Sequence, residues 1–88
     1  MNYSVFCHPK AKTFLDKLDQ EVRKGIRKKL GELKQYPERG NHLKYSLLWS
    51  LKVGNYRIIY EIDKKEQKVI ILHFGHRKEV YDDFSRLL

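Results

Sequence analysis

The stretch SLKVGNYRIIYEI, residues 50–62, decides the fold. Gly54 and Asn55 lie between two runs that alternate in polarity, which is a strong short-range signal for a two-residue β-hairpin. The turn imposes the pairs Val53–Tyr56, Lys52–Arg57, Leu51–Ile58 and Ser50–Ile59. Lys52 and Arg57 are therefore predicted side by side on one face, although like charges opposite each other weaken a sheet. An anion bound between the two cations would reverse the sign of that interaction.

The same alternation assigns the hairpin side chains to two faces of a sheet. The face expected to meet the helices carries Leu47, Trp49, Leu51, Val53, Tyr56, Ile58, Tyr60 and Ile62. The other face is expected to stay wet, as in many antiparallel sheets, and carries Leu48, Ser50, Lys52, Arg57, Ile59 and Glu61.

Two helices are predicted upstream of the hairpin, after a short strand at residues 2–7. The first begins at His8-Pro9, because proline is favoured in a first helical turn, and the second has Asp19 as its N-cap. Their apolar stripes are Ala11, Phe14, Leu15 and Leu18 in the first helix and Val22, Ile26, Leu30 and Leu33 in the second. Pro37 and Gly40 end the second helix, which predicts an αα-hairpin.

Downstream of the hairpin, residues 63–66 predict a turn and residues 68–74 a nearly continuous apolar strand. We expect this strand to be the central one and to end at Gly75, before a short helix over residues 79–88. A polar connection at residues 37–46 joins the two halves of the chain. The order βααβββ(α) predicts one α+β domain over residues 1–88, with an antiparallel sheet packed on an α-helical hairpin.

The composition is basic, with 19 Lys and Arg against 11 Asp and Glu and a formal net charge of +8. This net charge favours a protein that binds nucleic acid or an acidic protein, or else it indicates only a soluble basic surface.

A single cysteine, Cys7, fits a reducing compartment, and we expect it to be a buried small hydrophobe. No signal peptide or membrane span is visible, so a cytoplasmic location is expected. The histidines lack ligand-like spacing, and no metal or cofactor is expected.

Candidate functional residues lie in the hairpin and in GHRKEVYDDF, residues 75–84. His76 can move a proton near neutral pH, Arg77 can stabilise a charged phosphate together with the Lys52–Arg57 pair, and Tyr81 can stack on an unpaired base. Each also has a structural interpretation: a loop histidine, an ion pair with an acidic neighbour, and a core tyrosine. Four basic residues of the second helix either bind RNA phosphates or form a solvated face: Arg23, Lys24, Arg27 and Lys28.

These segments resemble the RelE/ParE superfamily of toxins from prokaryotic toxin–antitoxin systems, which have a microbial-RNase-like fold. The resemblance covers essentially the whole chain and rests on two motifs: Lys52, Tyr56 and Arg57, then Gly75, His76, Arg77, Val80 and Tyr81. The RelE branch implies a metal-independent endonuclease that cuts mRNA codons in the ribosomal A site. In that reaction the 2′-hydroxyl attacks the adjacent phosphate and leaves a 2′,3′-cyclic phosphate and a free 5′-hydroxyl.

The resemblance also implies residue roles. Arg57 matches the arginine that stabilises charge on the phosphate, and Lys52 matches one of two strand lysines. Arg77 matches the arginine near the leaving 5′ oxygen, and Tyr81 the tyrosine that stacks on the base. Ser50 stands where the second lysine is expected, and His76 is then a candidate general acid or base.

The partners implied are an acidic, RelB-like antitoxin, mRNA in the A site and ribosomal RNA. The antitoxin would neutralise the cationic face or displace residues 79–88, and the pair could assemble further and bind operator DNA. Two alternatives remain open: a ParE-like inhibitor of DNA gyrase, and a non-catalytic module that binds RNA or the antitoxin.

Overall fold

The computed structural model describes residues 2–44 and 46–76. Its strands are β1 (Ser4–Cys7), β2 (Asn41–His42), β3 (Leu48–Val53), β4 (Tyr56–Asp63) and β5 (Lys68–His76), and its helices are α1 (Pro9–Asp16) and α2 (Gln20–Gln35). A short 3₁₀ helix, Pro37–Arg39, follows α2. The predicted α+β class and element order are confirmed, except that β2 arises within the connection predicted as polar loop. The predicted helix over residues 79–88 lies outside the described residues.

The five strands form one sheet in the order β1-β5-β4-β3-β2. The sheet is mixed and not wholly antiparallel, because β1 pairs with β5 in the parallel direction, with Val5 opposite Val69. The other three pairings are antiparallel. β5 was expected to be the central strand, but it lies between β1 and β4, so that β4 occupies the middle of the sheet.

The two helices begin where the sequence predicts. Pro9 opens α1, and the Nδ1 atom of His8 accepts a hydrogen bond from the Lys10 N–H at 3.3 Å. Asp19 directly precedes α2, although its side chain makes no capping hydrogen bond. Helix α2 ends before Pro37, which lacks the N–H that would continue the helical bonding.

The core lies between the helices and one face of the sheet. Its buried members are Ala11, Leu15, Ile26, Leu30, Leu33, Leu51, Ile58, Tyr60, Val69, Ile71 and Phe74. Trp49, Val53 and Ile62 pack against them, as the alternation predicts. The assignment of Leu47 to this face was wrong, because the residue precedes β3 and is 76% exposed. Cys7 is half-buried against the core, and burial raises the pKa of its thiol.

The opposite face, which we call the cation face, carries Ser50, Lys52, Arg57 and Ile59. The predicted wet face also included Leu48 and Glu61, and the prediction was wrong for three of its six side chains. Ser50 and Ile59 are each 1% exposed and Arg57 is 9% exposed, whereas Lys52 is exposed. Ser50 and Ile59 are directly paired, and the Arg57 side chain bonds to Ser50, so these three side chains contribute to one another's burial.

Strand β5 continues through Gly75 to His76, so the expected end at Gly75 was wrong. Its pairing with β4 also contains a register shift: Ile59 pairs with His73 but Tyr60 pairs with Ile71, which leaves Leu72 as an extra residue. Downstream of this bulge the faces exchange. Phe74 therefore joins the core, and Gly75 reaches the cation face.

Within the described ranges, no helix is long and apolar enough to cross a membrane.

Candidate active site

The hairpin that carries the candidate site has the predicted register. Val53 pairs with Tyr56 and Lys52 with Arg57, and the next two predicted pairs follow in step. Gly54 has φ +59°, which glycine adopts without steric cost, and Asn55 keeps a negative φ. A positive φ at only the first central residue is typical of a type II′ turn. This local geometry alone places the two cations side by side.

The Arg57 side chain is bonded to Ser50, the uncharged residue that stands in place of a second strand lysine. Its Nη1 atom donates a hydrogen bond to the Oγ atom of Ser50 at 2.8 Å. Ser50 precedes Lys52 by two residues and shares its face, so the bond runs diagonally across the strand pair. The guanidinium is therefore directed away from the turn, toward the neighbouring Ser50–Ile59 pair on the same face.

Gly75 lies opposite Arg57 on the other flank of β4. Because glycine has no side chain, nothing projects from this position over the guanidinium. Glycine inside a strand often marks a place where a ligand or another backbone comes close. The row Lys52–Arg57–Gly75 thus has one exposed cation, one buried cation and one buried glycine.

His76 is not brought together with the cation pair. It pairs with Tyr56, and the two rings meet edge to face with centroids 6.1 Å apart. Because neighbouring residues of a strand point to opposite faces, His76 shares the face of Tyr56 and not that of Arg57. Its side chain is exposed at the end of β5. The structure thus separates a candidate proton-transfer group from the candidate phosphate-binding pair.

The other predicted site residues fall into two sets. Arg77 and Tyr81 lie outside the described residues. The second set lies on α2, away from its buried stripe: Lys24, Arg27 and Lys28 are exposed and Arg23 is half-buried. Arg27 also lines a cavity of about 380 Å³ beside Cys7 and Lys34.

A buried tyrosine fastens the loop that supports Ser50. The Tyr60 hydroxyl donates to the Pro37 carbonyl at 2.8 Å and accepts from the Gly40 N–H at 3.1 Å. Gly40 comes so close to β3 that a Cβ atom there would lie 2.5 Å from the Ser50 carbonyl oxygen. Asn41 then pairs with Ser50. In the sequence, this contact is indicated only by Gly40, which follows Pro37, and by Tyr60, which lies in an alternating strand.

The Tyr60→Phe substitution should lower the free energy of unfolding by about 1–3 kcal/mol, because it removes two hydrogen bonds to half-buried backbone groups, each worth about 0.5–1.5 kcal/mol. Burial raises the pKa of the Tyr60 phenol above its ordinary 10.0. A raised pKa favours the neutral form in the folded state, so this contribution is complete below pH 10 and is lost as the pH rises further. Urea unfolding of both proteins at neutral pH and above pH 10 should show their difference shrinking at the alkaline pH. A constant difference would contradict the buried phenol.

Residues 2–44 and 46–76 contain no cluster of three His, Cys, Asp or Glu side chains that could hold a metal ion. His73, expected in the core, is half-buried with its ring 6.4 Å from that of Phe14.

Comparison with known proteins identifies the family. Residues 5–81 match the family described as the ParE toxin of the type II toxin–antitoxin system parDE. A double mutant of the E. coli toxin RelE in the free state is similar over 100% of both chains, with a TM-score of 0.80 and 25% identity. A chain of the RelBE2 toxin–antitoxin complex from Mycobacterium tuberculosis is 27% identical with a TM-score of 0.77, over 88% of this chain and 100% of that chain. No curated protein sequence matches significantly. With a family match over most of its length and the fold of RelE, the chain belongs to the RelE/ParE superfamily of type II toxins.

Proposed function

We propose that this toxin is an endoribonuclease that cuts mRNA codons in the ribosomal A site. The observation that carries the proposal is the cation pair on one sheet face, with Lys52 opposite Arg57 and the Arg57 guanidinium bonded to Ser50. An arginine fork binds a phosphate through two parallel hydrogen bonds, and a lysine adds a movable point charge. A phosphodiester gaining negative charge in its transition state fits such a pair.

The proposed reaction needs no group beyond the RNA and the protein. The ribose 2′-oxygen forms a bond to the adjacent phosphorus, the bond from phosphorus to the 5′-oxygen breaks, and the proton lost by the nucleophile is balanced by one gained by the leaving oxygen. The products are a 2′,3′-cyclic phosphate and a 5′-hydroxyl. Arg57 and Lys52 stabilise the charge on the phosphate. By resemblance, Arg77 acts near the leaving oxygen and Tyr81 stacks on a base.

His76 is the weakest of the proposed catalytic residues, because it shares the face of Tyr56. We expect His76→Ala to keep the cleavage rate within about tenfold of wild type, whereas removing a general acid or base costs about 10²–10⁴-fold. Single-turnover cleavage across pH 5.5–8.5 measures this. A loss beyond 10²-fold, together with a flattened pH profile, would show that His76 transfers a proton in the reaction. The substrate would then have to extend past the end of β5, from the cation face to the face of His76.

The exposed cations of α2 are proposed to contact ribosomal RNA phosphates: Lys24, Arg27 and Lys28, with the half-buried Arg23 beside them. Each phosphate neutralised releases counterions, so affinity for the ribosome should fall steeply with salt. A solvated helix face would instead give a salt dependence that is unchanged when these residues are replaced by glutamine.

The proposed partner is a cognate, RelB-like antitoxin. Similar structures are described as toxin–antitoxin complexes, among them RelBE2 from M. tuberculosis. An acidic antitoxin segment complements a chain with a formal net charge of +8. Assembly of the pair on operator DNA, and a cytoplasmic location beside the ribosomes, belong to the same proposal.

A ParE-like inhibitor of DNA gyrase is the second candidate function, suggested by the description of the matched family as a ParE toxin. A third, a non-catalytic binding module, draws support from the neutral Ser50 in place of a second strand lysine. These candidates share the fold, so only an activity can separate them.

The test is primer extension on an mRNA in a purified translation system after adding the protein, beside a gyrase supercoiling assay. The proposal expects cuts inside codons on ribosome-engaged message only, and normal supercoiling. Intact message with inhibited supercoiling would favour the gyrase inhibitor. Intact message with normal supercoiling and tight ribosome binding would favour the non-catalytic module.

A further inference from the structure

We propose that Ser50 is a positioning residue, whose hydroxyl fixes the orientation of the Arg57 guanidinium for phosphate binding. The inference rests on the proposed function and adds to it a residue that carries no charge and need not touch the substrate. It gives the serine found in place of a strand lysine a role of its own.

The first support is the quality of the contact. The distance of 2.8 Å between Nη1 of Arg57 and Oγ of Ser50 is in the short range that is typical of charge-assisted hydrogen bonds. Both residues are buried, with Ser50 only 1% exposed. A buried cation is costly unless polar groups hold it, and a hydrogen bond in a poorly solvated place is stronger than one in water. The bond is therefore a fixed feature and not one of several solvent-exposed conformers.

The second support is the direction of the bond. Lys52 lies directly opposite Arg57. Ser50 precedes Lys52 by two residues in β3, so it lies on the same face but further from the turn. The hydrogen bond directs the guanidinium toward Ser50. The positive charge of Arg57 is thereby separated from that of the exposed Lys52 side chain. A phosphate entering between them meets an oriented fork on one side and a flexible ammonium on the other.

The third support is that Ser50 is itself fixed. Asn41 pairs with it, Gly40 lies close against its carbonyl oxygen, and the Tyr60 hydroxyl anchors Gly40 at 3.1 Å. A serine oxygen accepts from a guanidinium while remaining neutral, whereas a lysine at this position would have no acceptor and would add a third cation. A rigid acceptor is what positioning requires, since misplacement of a reacting group by about 1 Å can cost about 10²-fold in rate.

Ser50→Ala removes only the hydroxyl and suits the buried site. Ser46→Ala is the matched control, because it removes a serine hydroxyl that bonds to Leu43 and Leu48 at the start of β3 and not to Arg57. Two quantities are measured on each protein: the single-turnover cleavage rate on programmed ribosomes, and the ¹⁵N–¹H spectrum of the Arg57 guanidinium in the free protein. Thermal unfolding checks that the variants are folded.

We expect Ser50→Ala to cut the cleavage rate by about 10–100-fold, within the range that misplacement of a reacting group produces. Its Arg57 terminal N–H signals should merge through faster rotation. Ser46→Ala should change neither quantity, and Ser50→Thr, which keeps the hydroxyl, should restore both. In an Arg57→Lys background the further effect of Ser50→Ala should vanish.

Unchanged guanidinium signals in Ser50→Ala would overturn the inference whatever the rate. Merged signals with an unchanged rate would also overturn it, provided that Arg57→Ala abolishes cleavage. If the wild-type protein does not cut message at all, the proposed function fails, and the guanidinium spectrum alone decides whether Ser50 orients Arg57.

Discussion

Arg57→Ala should reduce mRNA cleavage by about 10²–10³-fold or more, the loss typical of removing one donor that stabilises charge in a transition state. The reason is the position of Arg57: the residue is 9% exposed, its guanidinium is bonded to Ser50, and it lies opposite Lys52. A charge in a poorly solvated place acts more strongly on a phosphate than one in water. Lys52 alone is exposed and flexible, so it cannot replace an oriented fork.

The measurement is single-turnover cleavage on programmed ribosomes, with Arg39→Ala as the matched control. Arg39 is an exposed arginine whose Nε lies 3.3 Å from a Glu32 carboxylate oxygen, and it is not among the proposed RNA contacts, so its loss should leave the rate nearly unchanged. Because Arg39 directly precedes Gly40, thermal unfolding must show that this variant is as stable as wild type. Thermal unfolding of Arg57→Ala must show a folded protein. A folded variant that cuts at the wild-type rate would contradict the role of Arg57. Equal gyrase inhibition by wild type and variant would favour the ParE-like function.

Phe74→Ala should lower the free energy of unfolding by about 3–5 kcal/mol, the usual cost of removing a buried phenyl group. Phe74 is 0% exposed, lies opposite Ile58 and belongs to the core under the helices. A small domain has a total stability of only about 5–15 kcal/mol, so this single change could remove most of it. Urea unfolding followed by circular dichroism measures the loss.

Phe6→Ala is the control for this prediction, because it removes the same side chain from an exposed position. Phe6 is 50% exposed, and its ring lies 5.5 Å from the Lys68 ammonium. Its replacement should cost about 1 kcal/mol or less, the value of an exposed cation–π contact. An equal loss of unfolding free energy in the two variants would contradict the strand register in which the bulge at Leu72 places Phe74 in the core.

The structure also bears on why two cations occupy the hairpin. Their repulsion is moderated in the folded protein, since Ser50 accepts a hydrogen bond from one cation and water solvates the other. Opposed like charges cost only a few tenths of a kcal/mol to about 1 kcal/mol, which a stable hairpin tolerates. In the proposed function, the same arrangement becomes favourable once a phosphate lies between them.

Local sequence was a good guide where short-range geometry dominates. Gly54 can adopt a positive φ, so the turn and its four residue pairs followed from a few positions. The starts of α1 and α2 followed from Pro9 and Asp19 for the same reason. The sequence did not predict that β1 pairs in parallel with β5, because more than sixty residues separate Val5 from its partner Val69.

The prediction for β5 failed because its run is almost wholly apolar. Alternation carries the information about faces, and residues 69–72 have none, so the extra residue at Leu72 was invisible. That one residue moves Phe74 into the core and Gly75 beside Arg57. It also places His76 with Tyr56, away from the cation pair with which the sequence had grouped it.

The sequence by itself determined the α+β class, the helical hairpin, the tight turn and the adjacency of Lys52 and Arg57. Each depends on residues close along the chain, where backbone geometry and side-chain periodicity leave few choices. Only the tertiary structure decided that Ser50 bonds Arg57, that Tyr60 fastens Gly40 beside Ser50, and that His76 faces away. These contacts depend on strand register and on burial, which are set by packing of the whole domain and not by local pattern.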